Sequence, residues 1–217
     1  MTELKTDAHL LQTTVTGSSG LFITNEDNML LMSRYPDNYF DLAIVDPPYG
    51  LNIINSGSQF KKYSKKNWDS EIPNQEYFNE LNRVSKNQIV FGGNYFPLPP
   101  NKCFVIWDKI QPEGVSFAMA EYLWTSFDSV SKIYRQRAQG QEQRFHPTQK
   151  PEKIYKWILE NYAKEGDKIL DTHLGSGSIA IACHDYKYNL TACELDTEYY
   201  NKAIERINNH VAQQKLF

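Results

Sequence analysis

The chain has 217 residues with a formal net charge of −3 at pH 7, and 41% of it is hydrophobic, enough to bury a core without disulfides or a structural metal. Its three cysteines, Cys103, Cys183 and Cys193, are odd in number and form neither a CxxC pair nor a Cys/His ligand set, which argues against a zinc site and for a reducing compartment. No apolar run approaches the roughly 18 residues of a membrane span, and the N-terminus lacks the basic and apolar regions of a signal peptide, so a cytoplasmic protein without a membrane partner is expected.

In chain order, residues 1–19, ending in TGSSG, read as an N-terminal arm, and 20–217 as a single domain. GLFIT (20–24) reads as a short strand and NEDNMLLMSRY (25–35) as a short helix. DLAIVD (41–46) is a continuous apolar run closed by an acid, the mark of a central parallel strand buried on both faces. Two prolines, a tyrosine and a glycine then stiffen its exit. Residues 50–72 are polar, basic and aromatic, a loop long enough to be functional. PNQEYFNELNRVSK (73–86) has Phe78, Leu81 and Val84 at helical spacing, and NQIVFGG (87–93) reads as another buried strand. KCFVIWDK (102–109) and AEYLWTSF (120–127) are β-rich and suited to antiparallel pairing. Residues 128–149 read as a second polar, basic loop. KPEKIYKWILENYAKEG (150–166) is a helix with a proline near its start and Gly166 past its end. Strand DKILD (167–171), glycine turn THLGSG (172–177), helix SIAIACHDYKY, strand NLTACELD and an amphipathic helix over 197–214 complete the chain. This alternation predicts an α/β fold, a Rossmann-like, doubly wound and mostly parallel sheet with an antiparallel strand pair at one edge.

Gly175 and Gly177 sit between a strand and a helix, where glycine permits a tight turn and lets a ligand lie against backbone N–H groups. Glu194 ends the next strand, placed to accept two hydrogen bonds from a ribose diol. Together they predict a nucleoside site. No Lys-Ser/Thr follows the glycines, which excludes a Walker-type phosphate loop. GSGSIA (175–180) satisfies the GxGxx(G/A) pattern of dinucleotide folds, but only 40 residues follow Gly177, too few for the further strands such a fold places downstream. The other strands lie upstream. The sheet therefore holds the usual parts in permuted order, and Asp46 emerges at its carboxyl edge beside the nucleoside site.

DPPYG (46–50), HPTQKP (146–151) and DTHLGSG (171–177), in that order, resemble the S-adenosylmethionine-dependent amino-methyltransferases of DNA, which methylate adenine N6 or cytosine N4. The order matches the β-class of that family, and the sequence is similar to the small versions common in phages and prophages. The resemblance covers residues 20–214 and implies the class I methyltransferase fold with S-adenosyl-L-methionine as cofactor. It implies a catalytic tetrad of Asp46, Pro47, Pro48 and Tyr49. Asp46 would accept one N–H of the exocyclic amine and the Pro47 carbonyl the other, Pro48 would stiffen the approach to Tyr49, and Tyr49 would stack on the base. This is positioning catalysis, which needs no metal. The resemblance further implies cofactor contacts from Asp27 at the adenine, Glu194 at the ribose with Leu195 beside it, and Thr148 and Lys150 closing over the methionine. Asp171, His173, Gly175, Ser176, Gly177 and Ser178 would line the turn, with Asp46 alongside. The family reads D-P-F-x-G-S-G-T there, whereas this chain has Thr172, His173 and Ser178 in place of Pro, Phe and Thr. His146 reads as a structural cap of its motif.

A base inside a duplex is out of reach, so the implied partner is duplex DNA with the base flipped out, or single-stranded DNA. Asp rather than Ser at the head of the PPY tetrad favours adenine N6. Cytosine N4 and RNA adenine are the rival substrates, and a non-catalytic nucleotide- or DNA-binding module is the rival from a different class, against which the intact DPPY argues. Lys61, Lys62, Lys65 and Lys66, interleaved with Tyr63 and Trp68, and Arg135, Arg137 and Arg144, near Tyr134 and Phe145, combine charge with stacking rings suited to DNA. They lie in loops near 51–70 and 128–145, the stretches left for target recognition. So little chain fits a site-specific or relaxed-specificity enzyme with a short target, or help from a second subunit in a homodimer. A bacterial cell or phage-infected host, and restriction–modification, complete the expectation.

Overall fold

The computed structural model describes residues 12–14, 20–52, 69–114, 118–137 and 144–214; Lys61, Lys62, Lys65 and Lys66, with Tyr63 and Trp68, lie outside the described residues. In chain order the elements are β1 (Gln12–Thr14), β2 (Leu21–Thr24), α1 (Asn28–Ser33), β3 (Phe40–Val45), α2 (Gln75–Val84), β4 (Ser85–Phe91), β5 (Phe104–Asp108), β6 (Ala120–Thr125), β7 (Lys132–Arg135), α3 (Glu152–Tyr162), β8 (Lys168–Asp171), α4 (Ser178–Tyr186), β9 (Asn189–Cys193) and α5 (Thr197–Gln214).

The strands form one sheet in the order β1-β2-β9-β8-β3-β4-β6-β5-β7. Strands β2, β9, β8, β3 and β4 are parallel, and β7 is parallel to β5. Strand β1 is antiparallel to β2, and β6 is antiparallel to both β4 and β5. Seven strands thus point the same way. Their carboxyl ends bring Asp27, Asp46, Lys109, Arg135 and Glu194 to one edge, where ligands bind in sheets of this kind.

The continuous apolar run of β3 follows from burial on both faces. Leu42 and Ile44 join one core with α3, α4 and α5, while Ala43 and Val45 join the other with α1 and α2. Helix α2 starts where the Asn74 side chain accepts the Tyr77 N–H at 3.0 Å, and it buries Tyr77, Phe78, Leu81 and Val84. At Ser85 the backbone becomes extended and runs directly into β4. Helix α4 is buried from Ser178 to Cys183, packed against α3 and α5.

The antiparallel β5–β6 pair lies one strand in from the edge, with β7 outside it. Residues 132–135 read as loop in the sequence but form β7. Lys132 and Tyr134 are half-buried, Ile133 and Arg135 are exposed, and the ladder to β5 holds the segment extended. A four-residue edge strand with one partly covered side shows little apolar pattern. Residues 12–14, within the expected arm, likewise add β1 to the edge of β2. Among the described residues no helix is long and apolar enough to cross a membrane.

Candidate active site

Asp46 leaves the end of β3 with both carboxylate oxygens engaged. The Tyr49 hydroxyl lies 2.6 Å from Oδ1 and the Lys150 ammonium 2.6 Å from Oδ2. Two chain segments 104 residues apart, DPPYG and HPTQKP, thus meet in one ion pair. The exit of the turn is pinned by Asp69, whose carboxylate accepts the N–H groups of Tyr49 (2.8 Å) and Gly50 (3.0 Å). Gly92, at φ +64°, makes room for the Tyr49 ring, since a Cβ there would stand 2.4 Å from its Cε1. Tyr95 stacks on Tyr49 at 4.9 Å and 16° and is itself 40% exposed, so in this structure Tyr95 covers one face of the ring expected to receive a base.

Glu121, near the start of β6, completes the cluster. Its carboxylate reaches the Tyr49 hydroxyl (2.7 Å), Lys150 (3.1 Å) and Lys109 (2.8 Å). All four charged side chains are less than a fifth exposed, and such a group is tolerable only because the charges are paired. Burial raises the pKa of Asp46 above the usual carboxylate value, with Glu121 adding to the rise and Lys150 opposing it. Burial opposes ionisation of Glu121 too, but Lys150 and Lys109 bring it down to about 2. Against its own burial, Lys150 is held charged by both acids. The resemblance assigns Lys150 to the methionine end of the cofactor; the structure pairs its ammonium with Asp46 and Glu121 while the residue also lines the adjoining cavity.

Beside this cluster lies a cavity of about 480 Å³. Its described lining includes the acids Glu26, Asp27, Asp46, Glu71 and Glu194, while Lys150 is the one lysine or arginine. Glu26 is neutralised by a two-pronged pair with Arg34, both contacts 2.6 Å, and Lys150 by its own acids. The lining is rich in acids, which suits a cationic ligand. His146, ahead of α3, sits with its ring atoms 3.8 Å from where a Gly175 Cβ would stand and 4.3 Å, centroid to centroid, from Tyr199, wedging HPTQKP onto the glycine turn. Thr148 contacts His146 Nδ1 at 3.2 Å.

The glycine turn is tied into the fold by its own N–H groups. The Gly175 N–H donates to Glu194 (2.8 Å) and the Gly177 N–H to the Leu174 carbonyl (3.0 Å), so neither is left over for a ligand. The glycines serve conformation and packing: φ is +55° and +77°, and a Cβ on Gly177 would stand 3.0 Å from Ile207 Cδ1. Ser178 donates to the Lys150 carbonyl (2.8 Å), and Arg206 donates to the Ser176 carbonyl (2.9 Å), tying the turn to the motif before α3. Asp27 caps α1 by accepting the Met29 and Leu30 N–H groups.

The substituted positions form a polar chain. Asn28 Nδ2 lies 3.1 Å from His173 Nε2, His173 Nδ1 lies 2.9 Å from Thr172 Oγ1, and that oxygen lies 2.7 Å from the Tyr77 hydroxyl. Burial lowers the His173 pKa to about 3, so the ring is neutral. An amide nitrogen only donates, so Nε2 accepts and Nδ1 carries the hydrogen. Thr172 and the Tyr77 hydroxyl continue the chain, with either oxygen able to donate between them, and both side chains line the cavity.

Of the residues expected at the cofactor, Asp27, Asp46, Thr148, Lys150, His173, Gly175, Ser176, Glu194 and Leu195 line the cavity, joined by Pro48 of the tetrad. Asp171, Gly177 and Ser178 do not, nor do Pro47 and Tyr49. Buried Asp171 accepts the His173 N–H at 3.0 Å, and burial lifts its pKa to about 8, with Asp46 and Glu194 adding to the rise. Arg135, the last residue of β7, and Arg137 just past it are exposed, with Arg135 3.4 Å from Asp108, and Arg144 is partly buried. Glu121, Lys109 and Tyr77 escape sequence reading; the one signal for Glu121 is an acid inside an otherwise apolar strand. No group of three or more His, Cys, Asp or Glu among the described residues is arranged to hold a metal ion.

Residues 98–205 match the N6_N4_Mtase family, DNA methylase. The type II methyltransferase M2.DpnII of Streptococcus pneumoniae is 23% identical over a match covering 86% of this chain and 89% of that enzyme. M.HpaI of Haemophilus parainfluenzae is 34% identical over 64 residues, which span 30% of this chain and only 20% of that enzyme. Among solved structures, the M1.HpyAVI–SAM complex superposes with a TM-score of 0.61 at 18% identity, covering 87% of this chain and 99% of that one. The cytosine-N4-specific PvuII DNA methyltransferase gives 0.59 at 11% identity, covering 89% and 93%. The fold is that of the class I methyltransferases.

Proposed function

Because this chain belongs to the S-adenosylmethionine-dependent amino-methyltransferases of DNA, we propose that it methylates N6 of adenine in DNA, on a base flipped out of the duplex or already single-stranded. The observation that carries the reading is Asp46 on the cavity wall, a carboxylate at the head of a PPY turn with an ion pair holding it in place. The acid-rich cavity fits a sulfonium cofactor, with Glu194 and Asp27 facing it. S-adenosylmethionine supplies an electrophilic methyl group when bound.

The chain's own residues supply position. Asp46 accepts one N–H of the amine and the Pro47 carbonyl the other, which draws the nitrogen toward tetrahedral geometry and aims its lone pair. Each Asp46 oxygen already has one partner and keeps a second lone pair for the substrate. Neutral His173 adds no charge beside the cationic cofactor. Arg135 and Arg137, at the edge shared with Asp46, contact the DNA backbone together with Arg144, and Lys61, Lys62, Lys65 and Lys66, outside the described residues, add positive charge for the same partner. The domain over 20–217 works in the cytoplasm, where its substrate lies, in restriction–modification. Asp at the head of the tetrad favours adenine; the likeness to the cytosine-N4-specific PvuII fold makes N4 the second reading.

Labelled S-adenosylmethionine and unmethylated bacterial DNA test this. Wild-type protein is expected to transfer label, Asp46→Ala to transfer none, and nucleoside digestion to release N6-methyladenine. N4-methylcytosine in the digest establishes the second reading. Wild-type protein that binds DNA without transferring label is not an enzyme of this kind.

A further inference from the structure

The Tyr49 hydroxyl has two carboxylates within hydrogen-bond reach, Asp46 at 2.6 Å and Glu121 at 2.7 Å, and a single hydrogen to offer. The cluster satisfies this in two ways. With Asp46 ionised, Tyr49 donates to it, and Glu121 rests on Lys109 at 2.8 Å and Lys150 at 3.1 Å. With Asp46 protonated, Asp46 donates to the phenol oxygen and the phenol turns its hydrogen to Glu121. Glu121 is thus the second acceptor that lets Asp46 exist in either state without stranding a buried polar group.

We propose that Glu121 is a positioning residue of the methyl transfer, holding Tyr49 and Lys150 against Asp46 and enabling Asp46 to take the proton that the amine gives up. This rests on the methyltransferase reading above. In the step, the amine nitrogen gains the methyl carbon as the carbon–sulfur bond breaks, its electron pair remaining on sulfur. The nitrogen, now cationic, releases a proton to Asp46 and keeps the N–H electron pair. A sulfonium and a carboxylate become a thioether and a carboxylic acid, so charge and atoms balance. The proton later leaves Asp46 for solvent.

The electrostatics agree with the geometry. Burial first, and then the Glu121 charge, raise the hold of Asp46 on a proton, with Lys150 opposing. Against its burial, Lys150 and Lys109 keep Glu121 an ionised acceptor throughout. Among the described residues, the further titratable groups that bear on Asp46 include Asp171 of β8, Tyr77 of α2 and Tyr155 of α3.

The test is the pH dependence of the single-turnover transfer rate, with cofactor and DNA saturating, in Glu121→Gln and Lys109→Met. Removing the Glu121 charge lowers the Asp46 pKa. The acid limb of E121Q therefore moves to lower pH, and the plateau rate falls about tenfold or more as the base weakens. Removing the Lys109 charge leaves Glu121 opposed by Lys150 alone, so more of its negative charge acts on Asp46 and the limb of K109M moves to higher pH. A residue that only braced the fold would give no such opposed pair, and would lower Tm and cofactor affinity together. Calorimetric affinity of E121Q for S-adenosylmethionine is expected within about twofold of wild type. Limbs unmoved in both variants overturn the proposal. Should E121Q not fold, K109M and Tyr49→Phe carry the test: Y49F removes the shared hydroxyl, and a limb and rate equal to wild type would equally overturn it. Absence of transfer by the wild-type protein would instead remove the underlying reading and leave this one without a reaction.

Discussion

Asp171 makes stability depend on pH in a way one isosteric substitution isolates. Its side chain ends β8, is 2% exposed, and carries a pKa raised from 3.8 to about 8, chiefly by burial. In the unfolded chain the same carboxyl ionises near its ordinary value. Between the two the folded state therefore binds one more proton, so stability from this group is full below about 3.8 and is lost as pH rises toward about 8. The loss is about 1.4 kcal/mol per pH unit, on the order of 4–6 kcal/mol across the window, a large share of the roughly 5–15 kcal/mol typical of a domain. Asp171→Asn keeps an oxygen for the His173 N–H and removes the titration. Urea unfolding of both proteins at pH 5, 6, 7 and 8 gives the comparison, in which slower drifts from other groups cancel. The stability of D171N relative to wild type is expected to grow by about 1.4 kcal/mol with each unit. A difference that stays constant across these pH values would refute the assignment of a buried, protonated Asp171.

Two further outcomes follow from the catalytic cluster. Gly92→Ala places a Cβ 2.4 Å from the Tyr49 ring at a φ of +64°, and is expected to cost about 2–4 kcal/mol and displace the ring; thermal unfolding and near-ultraviolet dichroism check it, and unchanged spectra and Tm would mean Tyr49 is not seated there. Lys150→Met leaves Asp46 without its cation and Glu121 with Lys109 alone, an expected loss of about 3–5 kcal/mol. Because losing Lys150 raises the Asp46 pKa further, the variant's deficit should be larger at pH 8 than at pH 6 in urea unfolding.

Much of the frame was legible because its signals are local. The apolar run of β3, the glycines after β8 and the spacing of Phe78, Leu81 and Val84 each report their own environment, and all three form as read. The meeting of DPPYG, HPTQKP and the glycine turn was legible from motif order. Contacts that depend on register were not. Glu121 reaches Lys150 and Tyr49 because it pairs with Trp107, two residues before Lys109, in the β5–β6 ladder, and an alternating strand pattern does not say which acid faces in. The ion pairs of Lys150 were not legible for a related reason: the motif gives its segment, whereas two inward acids from β3 and β6 decide where its ammonium points. The polar chain from Asn28 to Tyr77 joins three segments, each unremarkable alone.

The strand order has a consequence for how the protein comes into being. A nascent chain makes β2 and β3 early, yet these strands are not neighbours; β9 and β8 lie between them. Until residues 168–193 leave the ribosome, the sheet is two pieces with a two-strand gap, each exposing an open edge to passing chains. Pairings such as Leu21↔Leu190 and Leu42↔Ile169 each span more than half of the sequence, which slows folding and favours chaperone custody in the interval. The glycine turn and Glu194 arrive with the strands that close the gap, so a partly synthesised molecule has an Asp46 but no pocket to set beside it.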